Sequence, residues 1–346
     1  MHQVEIPVDS ELQTIGKDAF SYTSIERFTI PVHLTQIGDH SFSFCMQLQS
    51  VEMPENSELQ KIQCYAFSCS LIEKLRIPPH VTQIGEYAFS NCRRLQTIEI
   101  PTNSELQKIE GYTFYNSSIE CLKIPPNVTQ IGSRAFSFCQ EFKTIEIPAN
   151  SKLESIDSYA FNESSIENIF IPSSLIDLKD GWCGNTPNLT NIIISPNNPR
   201  YCLFNEKFII GKSSSEKKEY DVLVFCSRDI QQATLPSFIK QISSNAFEKC
   251  KLLRSIEIPL NSELQSIDML AFYHSSIEKF TITSHLKEIG SSAFSRCEHL
   301  KSIEIQKNSE LQKIDDYSFC LSSIEKFVVP PHLTKINEGA FSLCHK

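Results

Sequence analysis

Apolar residues fall along this chain in a fixed order that recurs from one end to the other. Each unit carries the spacing L-x-x-L-x-L, as at Leu48, Val51 and Met53, at Leu95, Ile98 and Ile100, and at Ile119, Leu122 and Ile124. The last two members alternate with polar residues, the period of a strand buried on one face only. Proline then ends the strand, because it has no N–H to give to a further ladder. A second short apolar pair follows, such as Leu34 and Ile37, and after it a segment of the form I-G-x-x-A-F-x-x-C. That segment predicts a short helical or 3₁₀ turn with Ala and Phe directed inward. A unit this small cannot bury its apolar face alone, so units must stack and share a continuous core.

Phenylalanine sets the phase of the stack. It stands at Phe20, Phe42, Phe67, Phe89, Phe114, Phe136 and Phe161, and again at Phe247, Phe272, Phe294, Phe319 and Phe341. The steps alternate between 22 and 25 residues, so the larger period is 47. One step after Phe161 the phase lands on Cys183, in a degenerate coil at 175–195 that keeps Leu178 and Leu189. From Cys183 to Phe247 there are 64 residues, 17 more than one full period. The surplus predicts an insertion, and FIIGKSSSEKKEYDVLVF at 208–225, two apolar runs around a charged loop, reads as a β-hairpin. The expected organisation is a first array over 1–195, a long coil with the hairpin over 196–235, and a second array over 236–346.

The unit I-P-x-x-V/L-T-x-I-G-x-x-A-F-x-x-C-x-x-L-x-x-I-x-I-P closely resembles the BspA-like type of leucine-rich repeat, found in bacterial and protist surface antigens. The resemblance covers nearly the whole chain. It implies an α/β solenoid, a horseshoe or arc with short parallel strands on the concave side, short helical turns on the convex side and the one hairpin insertion. It also implies roles in adhesion, binding of host proteins or co-aggregation, and a place at the cell surface or outside the cell. The family motif is a packing motif, so it transfers no functional residue.

Composition narrows the chemistry. With 40% hydrophobic and 21% charged residues the chain can bury a core. A formal net charge of −9 argues against nucleic acid, whose phosphates reward clustered Lys and Arg. No stretch approaches the roughly 20 apolar residues of a membrane span, so direct membrane insertion is not expected. The N-terminal residues lack the basic and apolar regions of a cleavable signal and no anchor is visible, which leaves a cytoplasmic location open beside the cell surface. Neither end carries a polar cap, which predicts end-to-end self-association, a longer parent chain or frayed terminal coils.

Several residues invite chemistry without forming a site. Cys45, Cys92, Cys139, Cys250, Cys297 and Cys344 each follow a column Phe by three residues, while alternate coils carry Ser or Thr there. Coils two apart lie about 10 Å apart, beyond the ~7 Å Cα separation that a disulfide spans, so this row cannot bridge to itself. Buried, reduced thiols are the expectation, with Cys202, Cys226 or the pair Cys64 and Cys69 as the redox alternative. His33, His80, His285 and His332 recur in loops at the same two-coil distance, too far apart to share a metal. No motif of catalysis or nucleotide binding is present, so neither an enzyme nor a cofactor is expected. Four glycosylation sequons begin at Asn116, Asn127, Asn162 and Asn188.

The outward positions of the main strands are the candidate binding face, for a protein or glycan partner. They present Arg27, Glu52, Lys74, Arg76, Glu99, Lys123, Glu146, Glu257 and Glu304 in alternating basic and acidic stripes. Two readings stand open: a cross-strand ion ladder that keeps the sheet soluble, or a charged surface that reads a partner. Phe170 and Ile193 break the pattern with large apolar groups at outward positions. Either the hairpin closes over them or they anchor a partner.

Overall fold

The computed structural model describes residues 2–7, 10–214 and 216–344. Two compact units emerge, Met1–Thr186 and Pro187–Lys346, each a parallel β-solenoid. In the first unit the main strands are three or four residues long. Arg27–Thr29 pairs in parallel with Ser50–Glu52, and Lys74–Arg76, Thr97–Glu99, Cys121–Lys123, Thr144–Glu146 and Asn168–Ile171 follow in chain order in a second parallel sheet. Each buries its central residue and turns the flanking ones outward, as the period-2 pattern requires. Two-residue strands such as Gln83–Ile84 and Gln130–Ile131 stack into further parallel sheets along a second side of each coil.

The column of rings fills the space between these sides. Phe42, Phe67, Phe89, Phe114, Phe136 and Phe161 are fully buried. Adjacent rings stack at centroid distances of 5.2 Å for Phe42–Phe67, 5.7 Å for Phe89–Phe114 and 5.4 Å for Phe114–Phe136. In the second unit Phe247, Phe272, Phe294 and Phe319 continue in the same manner at 4.7, 4.8 and 5.2 Å.

The expected helical turns do not form; among the described residues there is no helix. The backbone around each column Phe explains why. Tyr65 and Cys69, two residues on either side of Phe67, take φ of 57° and 59°. Such left-handed residues break any run of helical dihedrals. Alternate N–H groups then serve different partners. Those of Ala66, Ser68 and Ser70 close tight turns onto the carbonyls of Gln63, Tyr65 and Phe67, whereas those of Tyr65, Phe67 and Cys69 cross to Glu86, Ala88 and Ser90 in the next coil. A helix would keep all its N–H groups to itself. Here half of them tie coil to coil, which satisfies a buried backbone that has no sheet on this side.

In the second unit the main strands Gln232–Thr234, Ser255–Glu257, Lys279–Ile282 and Ser302–Ile305 form one sheet. The insertion joins the other side of the coil. Its two apolar runs become Phe208–Gly211 and Val222–Cys226, paired antiparallel, with Tyr201–Phe204 as a third antiparallel strand that the sequence pattern did not suggest. Val222–Cys226 continues in parallel onto Gln241–Ile242, so the hairpin extends the sheet of two-residue strands. Asp221 anchors the loop, accepting from the backbone N–H and hydroxyl of Ser213 and from Lys217.

Candidate partner-binding face

Backbone register places the candidate residues in rows. Arg76 lies opposite Glu99 and Lys123 opposite Glu146 on neighbouring strands, while Thr29 lies opposite Glu52. Arg27, Glu52, Lys74, Arg76, Glu99, Lys123 and Glu146 are all exposed, as are Glu257 and Glu304 on the second unit. Glu52, Glu99 and Glu146 recur every second coil, about 10 Å apart.

The ion ladder that could have absorbed these charges is not built. Among the described residues, no ion pair within 4.0 Å joins outward positions of two adjacent main strands. Arg76 turns instead to Glu55 in the loop after the strand, at 3.2 Å. Glu52 and Glu257 accept hydrogen bonds from Thr29 and Thr234, at 3.4 and 3.2 Å. Close cross-strand pairing belongs to the other side of the coil, where Lys313 reaches Glu288 at 2.7 Å. The main-strand face therefore keeps a row of carboxylates that close no ion pair with the cations opposite them.

Phe170 is half-buried, and Ile193 is 56% exposed. Because the hairpin extends the sheet of two-residue strands, it leaves Ile193 uncovered.

His33 and His80 meet Glu58 and Glu105, at 3.2 and 2.9 Å, in exposed loop pairs. Among the described residues no three His, Cys, Asp or Glu side chains gather as a metal site would require. The thirteen cysteines are free. Five members of the thiol row donate to the carbonyl of the column Phe in the preceding coil, as Cys92 does to Phe67 at 3.2 Å and Cys139 to Phe114 at 3.0 Å. Each also lies against the Ser or Thr hydroxyl of that coil, such as Ser70 or Ser117 at 3.4 and 3.5 Å. Burial pushes the thiols of Cys92 and Cys139 up to about 12 and about 11.

One surface feature escaped the sequence reading. Tyr65, Tyr87 and Tyr112 stack face to face at 4.5 and 4.4 Å, with His40 below at 4.6 Å. Arg134 sits over the rings of Tyr112 and Tyr159, at 6.0 and 5.0 Å. The signal was available, since all six residues stand two before a column position. Their ring faces are spent on one another, so the ridge presents only ring edges and hydroxyls. Burial, with the neighbouring phenols of Tyr112 and Tyr65, pushes Tyr87 up to about 12 from 10.0. Between those values the folded chain keeps a proton that the unfolded chain releases, so stability is present below pH 10 and falls as pH rises through the window. Denaturation midpoints at about pH 9 and about pH 11.5 are expected to fall less in Tyr87→Phe than in the wild type. Equal losses in both proteins would remove Tyr87 as the cause.

With coil, column and face in place, comparison with known proteins becomes decisive. A model of the BspA type leucine rich repeat region, in six copies, matches residues 13–140, 107–201 and 221–346. The chain belongs to the BspA-type leucine-rich repeat family. Solved structures share the fold of this BspA-type array. The pneumococcal vaccine antigen PcpA is 20% identical with a TM-score of 0.59, over 90% of this chain and 84% of its own. A leucine rich cell surface protein from Faecalibacterium prausnitzii is 23% identical with a TM-score of 0.64, over 96% of this chain and 80% of its own. A leucine-rich repeat protein from Eubacterium ventriosum is 20% identical with a TM-score of 0.54, over 92% of this chain and 82% of its own. No curated protein matches the BspA-type chain. The family is one of repeat proteins, and no enzymatic family is indicated. Among the described residues, no helix is long and apolar enough to cross a membrane.

Proposed function

We propose that this protein is a non-catalytic binding module that takes a protein partner along its main-strand face. The observation that carries the reading is the exposed row Glu52, Glu99 and Glu146, which alternates with Arg76 and Lys123 along the face and closes no ion pair within 4.0 Å with them. A pattern of unpaired charges at about 10 Å spacing suits a protein surface of complementary charge, because such charges steer encounter and reject wrong partners. A glycan is the lesser alternative. Adhesion, and binding to host proteins at the cell surface, is the setting that the family resemblance favours, and one similar fold belongs to a cell surface protein.

A second setting draws on the thiol row. Five core cysteines serve as hydrogen-bond donors, a role that only reduced thiols fill, which favours an intracellular scaffold in a reducing compartment.

The test uses the full chain as bait, in parallel, against host-cell surface extract and against extract of the source cell. Reversing Glu52→Lys, Glu99→Lys and Glu146→Lys together is expected to weaken capture of the specific partner about tenfold or more. Glu99→Lys and Glu146→Lys set like charges opposite Arg76 and Lys123, so a modest fall in melting temperature is expected and capture is compared well below it. Capture that survives the triple reversal would move the binding surface elsewhere. The pair Phe170→Ser and Ile193→Ser, in a separate protein, asks whether those two apolar groups anchor the partner.

A further inference from the structure

Charge along the main-strand face of the first unit changes sign at every coil. Glu52, Arg76, Glu99, Lys123 and Glu146 hold the same outward place on successive main strands, and all are exposed. Register fixes the order. Arg76 lies opposite Glu99 and Lys123 opposite Glu146, while Cys121 pairs with Thr97 and so sets Lys123 beside Glu99. The N–H of Glu73 donates to the carbonyl of Gln49 at 3.3 Å, which carries the alignment back to Arg76 and Glu52. Phe170 comes next in the row, two residues after Asn168, which pairs with Thr144. The row reads acid, base, acid, base, acid, apolar, at about 4.8 Å per step.

A segment laid along the stacking direction answers this row only if it offers one side chain per coil. An extended strand presents a side chain to one side every second residue, about 6.6 Å, and falls out of step within two coils. A polyproline II segment turns every three residues, about 9.3 Å, so it reaches alternate coils and leaves Arg76 and Lys123 unanswered. An α-helix returns to one face every turn, about 5.4 Å, which is close to one side chain per coil. Two heptads of helix rise about 21 Å, against about 19 Å for the four steps from Glu52 to Glu146. The difference, about 1 Å at each end, lies within the swing of a flexible lysine stem.

We propose, building on the reading of this face as a partner surface, that its occupant is an α-helix lying along the stacking direction. The helix carries Lys or Arg at every seventh residue, opposite Glu52, Glu99 and Glu146. Asp or Glu stands midway between those cations, opposite Arg76 and Lys123. The same pattern pairs unlike charges three or four residues apart within the helix, which stabilises it before it docks. One turn beyond the last cation a large apolar residue packs on Phe170. That contact gives the docked helix its direction, because the charges alone read the same from both ends.

The test titrates the full chain into fluorescently labelled synthetic peptides of three heptads. The first is built on alanine and glutamine, with Lys at every seventh position, Glu midway and Leu one turn past the last Lys. The second scrambles the same residues, the third sets the same charges at every third position between prolines, and the fourth puts a single proline at the centre of the first. Fluorescence anisotropy at low salt is expected to show the first binding at least about tenfold tighter than the other three. Its helical circular dichroism should rise on binding. The triple variant Glu52→Lys, Glu99→Lys and Glu146→Lys should lose that preference, and the wild-type ranking suffices if the variant fails to fold. Equal binding of the ordered and scrambled peptides, or tighter binding of the proline-spaced one, would overturn the helix. If such a ranking appears while capture of the cellular partner still falls with the triple reversal, the helix is refuted and the face remains a binding surface.

Discussion

Phe114→Ala is expected to destabilise the first unit by about 3–5 kcal/mol. The ring is fully buried and sits between two others, Phe89 at 5.7 Å and Phe136 at 5.4 Å. Removing it loses transfer energy, leaves a cavity that neighbouring coils cannot close, and breaks two stacked pairs worth about 0.5–1.5 kcal/mol each. Collapse is hindered because the backbone on both sides is tied by N–H bonds from coil to coil, such as Phe114 to Ala135 at 2.9 Å. The position along the column matters. Phe20 is only half-buried, so Phe20→Ala should cost clearly less. Urea denaturation followed by circular dichroism measures both. Similar midpoints for Phe114→Ala and Phe20→Ala would mean that the column is not the spine of the fold.

Gly132→Ala is expected to cost about 1–3 kcal/mol although it adds a single methyl group. A Cβ at Gly132 would stand 2.6 Å from the backbone nitrogen of Gly111 and 2.8 Å from the carbonyl carbon of Glu110, both in the preceding coil. Backbone cannot swing aside as a side chain can, so the coils themselves must separate. Gly38, Gly85 and Gly290 meet the preceding coil in the same way, at 2.7 to 2.8 Å. Gly16 meets nothing within 4 Å, which makes Gly16→Ala the control. Equal melting temperatures for the wild type and both alanine variants would refute the claim that close approach selects glycine at these coils.

Much of this architecture was readable from residues. Phase, strand positions and the inward rows follow from two periodicities that packing imposes, and the folded chain keeps both. The turns were misread as helical because nothing in composition announces a left-handed residue when it is Tyr65, Tyr87 or Tyr112; Asn91 and Asn116, with φ of 56° and 54°, are the more ordinary occupants. Stacking of the tyrosine rings and the coil-to-coil hydrogen bonds offset a strain of about 1–2 kcal/mol per residue. Outward residues on the main strands were legible, again because alternation is geometric. Their pairing was not, since a rotamer decides whether Arg76 reaches Glu99 across the sheet or Glu55 in the loop. The register beside the insertion was the least accessible: the N–H of Cys226 donates to the carbonyl of Ala246 at 3.0 Å, the bond that Phe67 makes to Ala88. Counting back 22 residues from Phe247 selects Phe225, while the backbone puts Cys226 in register, a one-residue slip beside the irregular pairing at Ile209 and Ile210.

The insertion enters on the sheet of two-residue strands, yet Gln232, Ala233 and Thr234 remain aligned with Ser255, Ile256 and Glu257. Extra chain at that corner is thus accommodated without shifting the frame of the opposite side. The corner is a natural splice point: descendants of such an array could lengthen, trade or lose this appendage, and a protein engineer could graft a tag or loop there, while the order of residues shown to a partner stays as it was.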